Sequence, residues 1–161
     1  MASIKGITLK RVQHFRGTDG SGVNADIYMD GKKIGDAHDG GYGGGLDVDI
    51  NHEYSAKFKK RVETYYKEHP SSCTGNEWFM EELIALHDYE KDYKRNARKG
   101  YPIMVDMKFH ARLATLDDIL SMLKNDKVIF CVDEKTLEVN LKKHEPVVYT
   151  VYRSLDDFII R

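Results

Sequence analysis

The segment from Asp30 to His52, DGKKIGDAHDGGYGGGLDVDINH, sets Asp36, Asp39, Asp47 and Asp49 beside His38 and His52 and threads them with Gly40, Gly41, Gly43, Gly44 and Gly45. Carboxylates and imidazoles are ligands that hard or borderline divalent cations accept. The spacing departs from an EF-hand, which needs ligands at alternate positions and a bidentate Glu closing the loop. The single GGxGxD-like fragment also lacks the stacked repeats of a calcium β-roll. A phosphate loop needs Gly-Lys-Ser/Thr between a strand and a helix, but here Gly45 leads into Leu46-Asp47 and more negative charge. Three readings stay open: a solvated hairpin loop, a metal site, and a partner-binding loop that uses Asp36, Asp39, Tyr42, Asp47 and Asp49.

Two basic stretches could meet phosphates, with tyrosines to stack on bases: Lys57 to Arg61 near Tyr65 and Tyr66, and Lys91 to Lys99 near Tyr89 and Tyr93. In the second, Tyr93, Lys94, Arg95 and Arg98 form a candidate nucleic-acid or second partner surface. On an amphipathic helix the same residues also serve as a solvent face with tyrosines at the core edge. Cys73 lies in a Ser-Ser-Cys-Thr-Gly loop without a neighbouring base, and Cys131 sits inside an apolar run. No H-E-x-x-H or paired zinc-ligand spacing occurs among the seven histidines. The expectation is therefore no catalytic residue, no metal and no cofactor.

The elements that must position these residues follow from periodicity. Ile4 to Phe15 reads as a strand. Val23, Ala25, Ile27 and Met29 alternate with polar residues, and Lys32 to His38 returns after Asp30-Gly31, the dipeptide a type I′ hairpin turn prefers. Leu46, Val48 and Ile50 add a fourth short strand. Tyr54, Phe58, Val62 and Tyr65 mark a helix ending at His69-Pro70, and Thr74 with Glu77 has capping-box spacing before a long helix that stops at Gly100. Ile103 to Phe109 alternates as a strand, and Thr115 with Asp118 opens a short helix through Leu123 that ends at Asn125. Val128 to Val132 then reads as a strand, turned at Asp133 to Thr136 into a second strand at Leu137, Val139 and Leu141. Val147 to Tyr152 is a further strand, and Ser154 with Asp157 caps a terminal turn. The fold class expected is α+β: an N-terminal antiparallel β-meander, central amphipathic helices, and a C-terminal β-hairpin and strand. It is expected as one compact domain over 1–161, with a sub-lobe boundary near 70–75 or 100 as the variant.

A net charge of −1 gives no global attraction to nucleic acid or anionic lipid, and no apolar run approaches a membrane span. Two cysteines are too few for a disulfide framework, so a cytoplasmic location is expected. The run ADIYMDGKKIGDAHDGGYGGG, with its YxDGKKxG hairpin and glycine-rich continuation, resembles the N-terminal strand-turn-strand of small phage and mobile-element proteins. Some of these inhibit bacterial defence, anti-CRISPR proteins among them. The resemblance implies a non-enzymatic inhibitor that binds a protein partner stoichiometrically, a CRISPR effector nuclease being one such target. The alternatives are a nucleic-acid-binding accessory protein using the basic helices and, third, a metal-dependent hydrolase built on the acidic loop.

Overall fold

The computed structural model describes residues 1–108, 127–145 and 148–161. The chain is α+β and divides into two compact units, one comprising Met1–Glu90 with Phe158–Arg161 and the other Lys91–Asp157. Among the described residues no helix is long and apolar enough to cross a membrane.

The first unit is built on a six-stranded sheet. Its strands are β1 (Ser3–Ile4), β2 (Ile7–Arg16), β3 (Ser21–Met29), β4 (Lys32–Asp39), β5 (Asp47–Ile50) and β9 (Ile159–Ile160), in the order β5-β4-β3-β2-β1-β9. Strands β1 to β5 form the expected antiparallel meander, turned between β3 and β4 by Asp30 (φ 52°) and Gly31 (φ 82°), the two left-handed residues a type I′ turn requires. Period-2 alternation assigns the faces. Val23, Ala25, Ile27 and Met29 are buried, while Asn24 is exposed and Tyr28 half-buried on the other side. Strand β9 was not legible as a strand of this sheet: it pairs in parallel with β1, Ser3 opposite Ile159 and Ile4 opposite Ile160.

Helices α1 (His52–Glu68) and the N-terminal part of α2 (Asn76–Ala97) complete the core. Phe58, Val62 and Tyr65 recur on one face of α1, and the Phe79 ring meets Phe58 and Tyr65 edge-on at 5.9 and 5.5 Å. The His69 N–H closes α1 on Tyr65 O at 2.8 Å, just before Pro70. The capping role expected of Glu77 is replaced by a long-range one. The first α2 bond runs from Phe79 N–H to Gly75 O, and the Glu77 carboxylate instead accepts the Leu46 N–H at 3.1 Å.

The second unit carries a three-stranded antiparallel sheet, order β7-β6-β8, with β6 (Ile103–Lys108) between β7 (Lys127–Cys131) and β8 (Val148–Tyr152). The stretch Leu137-Val139-Leu141, expected as the second strand of a hairpin with β7, is helical instead, within α3 (Glu134–His144). Asp133 Oδ1 accepts the Thr136 N–H at 2.7 Å, which satisfies an otherwise orphaned donor of the first turn and starts the helix. Leu137 and Leu141, four apart, then both reach a core of Ile103, Val105, Met107 and Cys131, while Val139 is 57 % exposed. A strand would have put all three on one face. The Ser154–Asp157 turn forms as a 3-10 helix over Leu155–Phe158, and Asp157 Oδ2 accepts the Arg153 and Ser154 N–H groups at 2.6 and 2.8 Å. The expected Thr115–Asp118 helix, Phe109 and Val147 lie outside the described residues.

Candidate partner-binding face

The sheet face opposite the buried Val23–Met29 set is assembled by two irregularities. Between Lys10 and Gln13 the β2–β3 register shifts, and Arg11 takes φ 52°, a left-handed conformation costly for a residue with a side chain. Between Ile27 and Tyr28 the β3–β4 register shifts, so that Gly35 faces Ile27 and Lys33 faces Tyr28. Ile34 thereby stays in the core with no exposure, while Lys33 and Asp36, three residues apart, share the outer face. Gly35 is required at this point. A Cβ there would sit 2.0 Å from Asp49 O of the neighbouring strand.

Two polar rows result. The first runs Lys10, Asp26, Asp36, Asp49 across β2 to β5, and the second runs Gln13, Asn24, His38, Asp47. Asp26, 7 % exposed, is held by the Arg11 guanidinium and by Lys33 Nζ at 3.1 Å. Its burial works against ionisation, yet the hydrogen bonds from Lys33 and Arg11 outweigh it and keep the carboxyl below its ordinary range. Lys33 Nζ also meets Asp36 Oδ1 at 2.6 Å, and these contacts push its own pKa up, Asp36 first and Asp26 second. In the second row His38 Nδ1 lies 2.5 Å from Asn24 Oδ1. The Phe15 ring stacks on this imidazole with centroids 6.4 Å apart. Arg11, Gln13, Asn24, Asp26, Asp36 and His38 bound a shallow cavity of about 330 Å³ over this face.

The glycine-rich connection between β4 and β5 is pinned at both ends. Asp39 Oδ1 accepts the Gly41 N–H at 2.8 Å, and Gly41 O accepts the Asp19 N–H at 2.9 Å from the β2–β3 turn. A Cβ on Gly17 would meet Gly41 O at 2.4 Å, so this close approach of two backbones demands glycine. At the far end Leu46 is buried and its N–H is taken by Glu77. Tyr42, Gly43 and Gly44 form the exposed tip, with Tyr42 72 % exposed.

The five loop residues singled out from sequence thus separate by what they touch. Asp36 is ion-paired to Lys33 and Asp39 is spent on Gly41 N–H. Asp47 and Asp49 lie exposed on the edge strand with no ion-pair partner among the described residues, and Tyr42 projects at the tip. Among the described residues no three His, Cys, Asp or Glu side chains are placed to hold one metal ion. On the second candidate surface, Tyr93 is a core residue and not a surface one. It is 6 % exposed, its hydroxyl donates to Arg153 O at 2.6 Å, and burial followed by the Asp157 charge pushes its pKa up. Arg95 pairs with Asp92 at 2.9 Å, Lys94 is half-buried, and Arg98 is exposed. Tyr65 is buried and Tyr66 turns its hydroxyl to Glu82, so neither is a base-stacking platform beside Lys57 to Arg61.

Arg11, Lys33, Asn24 and Asp26 were missed from sequence. Asp26 and Asn24 were legible as the polar side of β3, but both cations reach Asp26 only through register shifts that no local pattern announces. The result is an acceptor-rich face, neutralised at its centre and negative at the β5 edge, with an exposed aromatic beside it in the chain. No protein-family model, curated protein or solved structure matches the chain.

Proposed function

We propose that the protein acts by stoichiometric binding, engaging a basic protein surface through Asp47 and Asp49 on the β5 edge and Tyr42 on the adjoining loop tip. The observation that carries this reading is the pair of exposed edge carboxylates that have no cation among the described residues, in a face where Asp26 and Asp36 are ion-paired. Uncompensated charge at a rim steers encounter with an oppositely charged partner, and an exposed tyrosine is the residue type that anchors interfaces. Together with the phage-like hairpin, this supports an inhibitor that works in the host cytoplasm and occupies the nucleic-acid groove of a defence complex, a CRISPR effector nuclease first among them.

The test is titration of a purified effector with the protein while nucleic-acid cleavage is followed. Occupation predicts inhibition that saturates near equimolar protein, co-elution of the complex, and loss of both in a Tyr42→Ala/Asp47→Asn/Asp49→Asn variant that melts no lower than the parent. Inactivation by a small substoichiometric amount, growing with time, would show turnover in its place.

A further inference from the structure

A second feature of the first unit lies away from the acidic face. A cavity of about 590 Å³ is lined by Lys5, Gly6, Lys57, Lys60, Arg61, Thr64 and Arg161, with five basic side chains and no acidic one. They come from three distant parts of the chain: the β1–β2 turn, one face of α1, and the residue after β9. The volume is that of a small-molecule site, and the aliphatic stems of the lysines and the Thr64 methyl give it an apolar wall.

The cavity is held in shape by the backbone. Lys5 (φ 51°) and Gly6 (φ 71°) are both left-handed, and a Cβ on Gly6 would press on Arg61 Nη1 at 2.8 Å. Through this gap Arg61 Nη1 donates to Lys5 O at 2.8 Å, while Nη2 grips both oxygens of Asp30. Lys57 also pairs with Asp30, and Lys5 with Glu68 and Arg161 O, so three of the five cations are tied into the fold. Lys60 and Arg161 are not: both are exposed, and neither has an ion-pair partner among the described residues. Thr64 Oγ1 already donates to Lys60 O at 2.8 Å, leaving the two free cations as the donors.

We infer that this cavity binds a small organic phosphate, its phosphate oxygens on Lys60 and Arg161 and its carbon part along the lysine stems. Arg161 supplies the planar fork suited to phosphate and Lys60 a point charge. The inference is independent of the partner-binding reading, since no residue is shared.

Calorimetry of the full chain at constant ionic strength, with pyrophosphate and ATP as probes, tests it. One saturable site is expected, and Lys60→Gln and Arg161→Gln should each weaken it by about ten-fold while leaving the melting temperature in place. In amide spectra, ATP should shift Gly6, Lys60 and Thr64. Absence of saturable binding at millimolar probe, or binding indifferent to both substitutions, would overturn the site. Single-stranded DNA binding far more tightly than ATP, with affinity rising with strand length, would assign the cations to a nucleic-acid backbone and overturn the small-ligand assignment.

Discussion

Asp36 and Asp49 stand directly opposite each other across the β4–β5 ladder, and among the described residues only Asp36 has a cation, Lys33 at 2.6 Å, to answer it. Like charges at opposed positions disfavour the pairing. The exposed edge strand of the sheet thus carries a charge that no described residue neutralises, which also discourages indiscriminate strand addition at that edge.

Asp49→Asn should therefore raise the free energy of unfolding, by about 0.2–1 kcal/mol, because it removes a repulsion and no ion pair. Urea denaturation at low salt measures it, and the gain should shrink at high salt as the repulsion in the parent is screened. A destabilised variant would make Asp49 an anchor of the β5 edge.

Asp26 makes the sheet acid-sensitive with a definite sign. Its carboxyl titrates below the ordinary 3.8 in the folded protein, so its stabilising contribution is present above that value and is lost as pH falls through the lower folded pKa. Asp26→Asn should melt lower than the parent at neutral pH, with the difference closing below pH 3.8. Circular-dichroism melting of both proteins across this range checks it, and a constant gap would remove Arg11 and Lys33 as the cause.

Gly17 of the β2–β3 turn, against which the β4–β5 connection docks, and Gly44 at the tip of that connection are not equivalent. Gly17→Ala puts a methyl against Gly41 O, where neither backbone can yield cheaply, and should cost about 1–3 kcal/mol. Gly44→Ala meets open space without a left-handed φ and should be neutral or stabilising by up to about 1 kcal/mol, through the unfolded chain. Scanning calorimetry separates the two, and equal effects would mean that the loop is not docked on the β2–β3 turn.

For α3, Asp133→Ala should lower the melting temperature and the helical circular-dichroism signal, whereas Asp133→Asn, which keeps an accepting oxygen for the Thr136 N–H, should retain most of both. A response equal in the two variants would place the effect in the carboxylate charge, which the Thr136 backbone hydrogen bond, ahead of other causes, keeps ionised below the usual range.

What local physics dictates was legible in the residues. The Asp30-Gly31 turn needs two positive φ angles and has them, β3 buries its alternate apolar set, and α1 and α2 follow their apolar stripes to the stops at His69 and Gly100. Short alternation is ambiguous where a cap competes with it: Leu137, Val139 and Leu141 fit a strand by parity, and the Thr136 N–H donating to the Asp133 side chain starts a helix there.

Tertiary structure alone decided the site. The candidate loop was visible as a concentration of acid and glycine, yet which carboxylates are free depends on Lys33 and Arg11, and they arrive through register shifts set by strand pairing. Ile159 and Ile160 join β1 across the length of the chain, and the basic cavity needs residues 5, 57–64 and 161 at one place. Periodicity encodes which way a side chain faces relative to its neighbours in sequence. Which strand lies alongside, where a register slips and which distant charge answers another are set by the balance of packing and pairing over the whole fold, and they determine here which acids stay neutralised and which remain open to a partner.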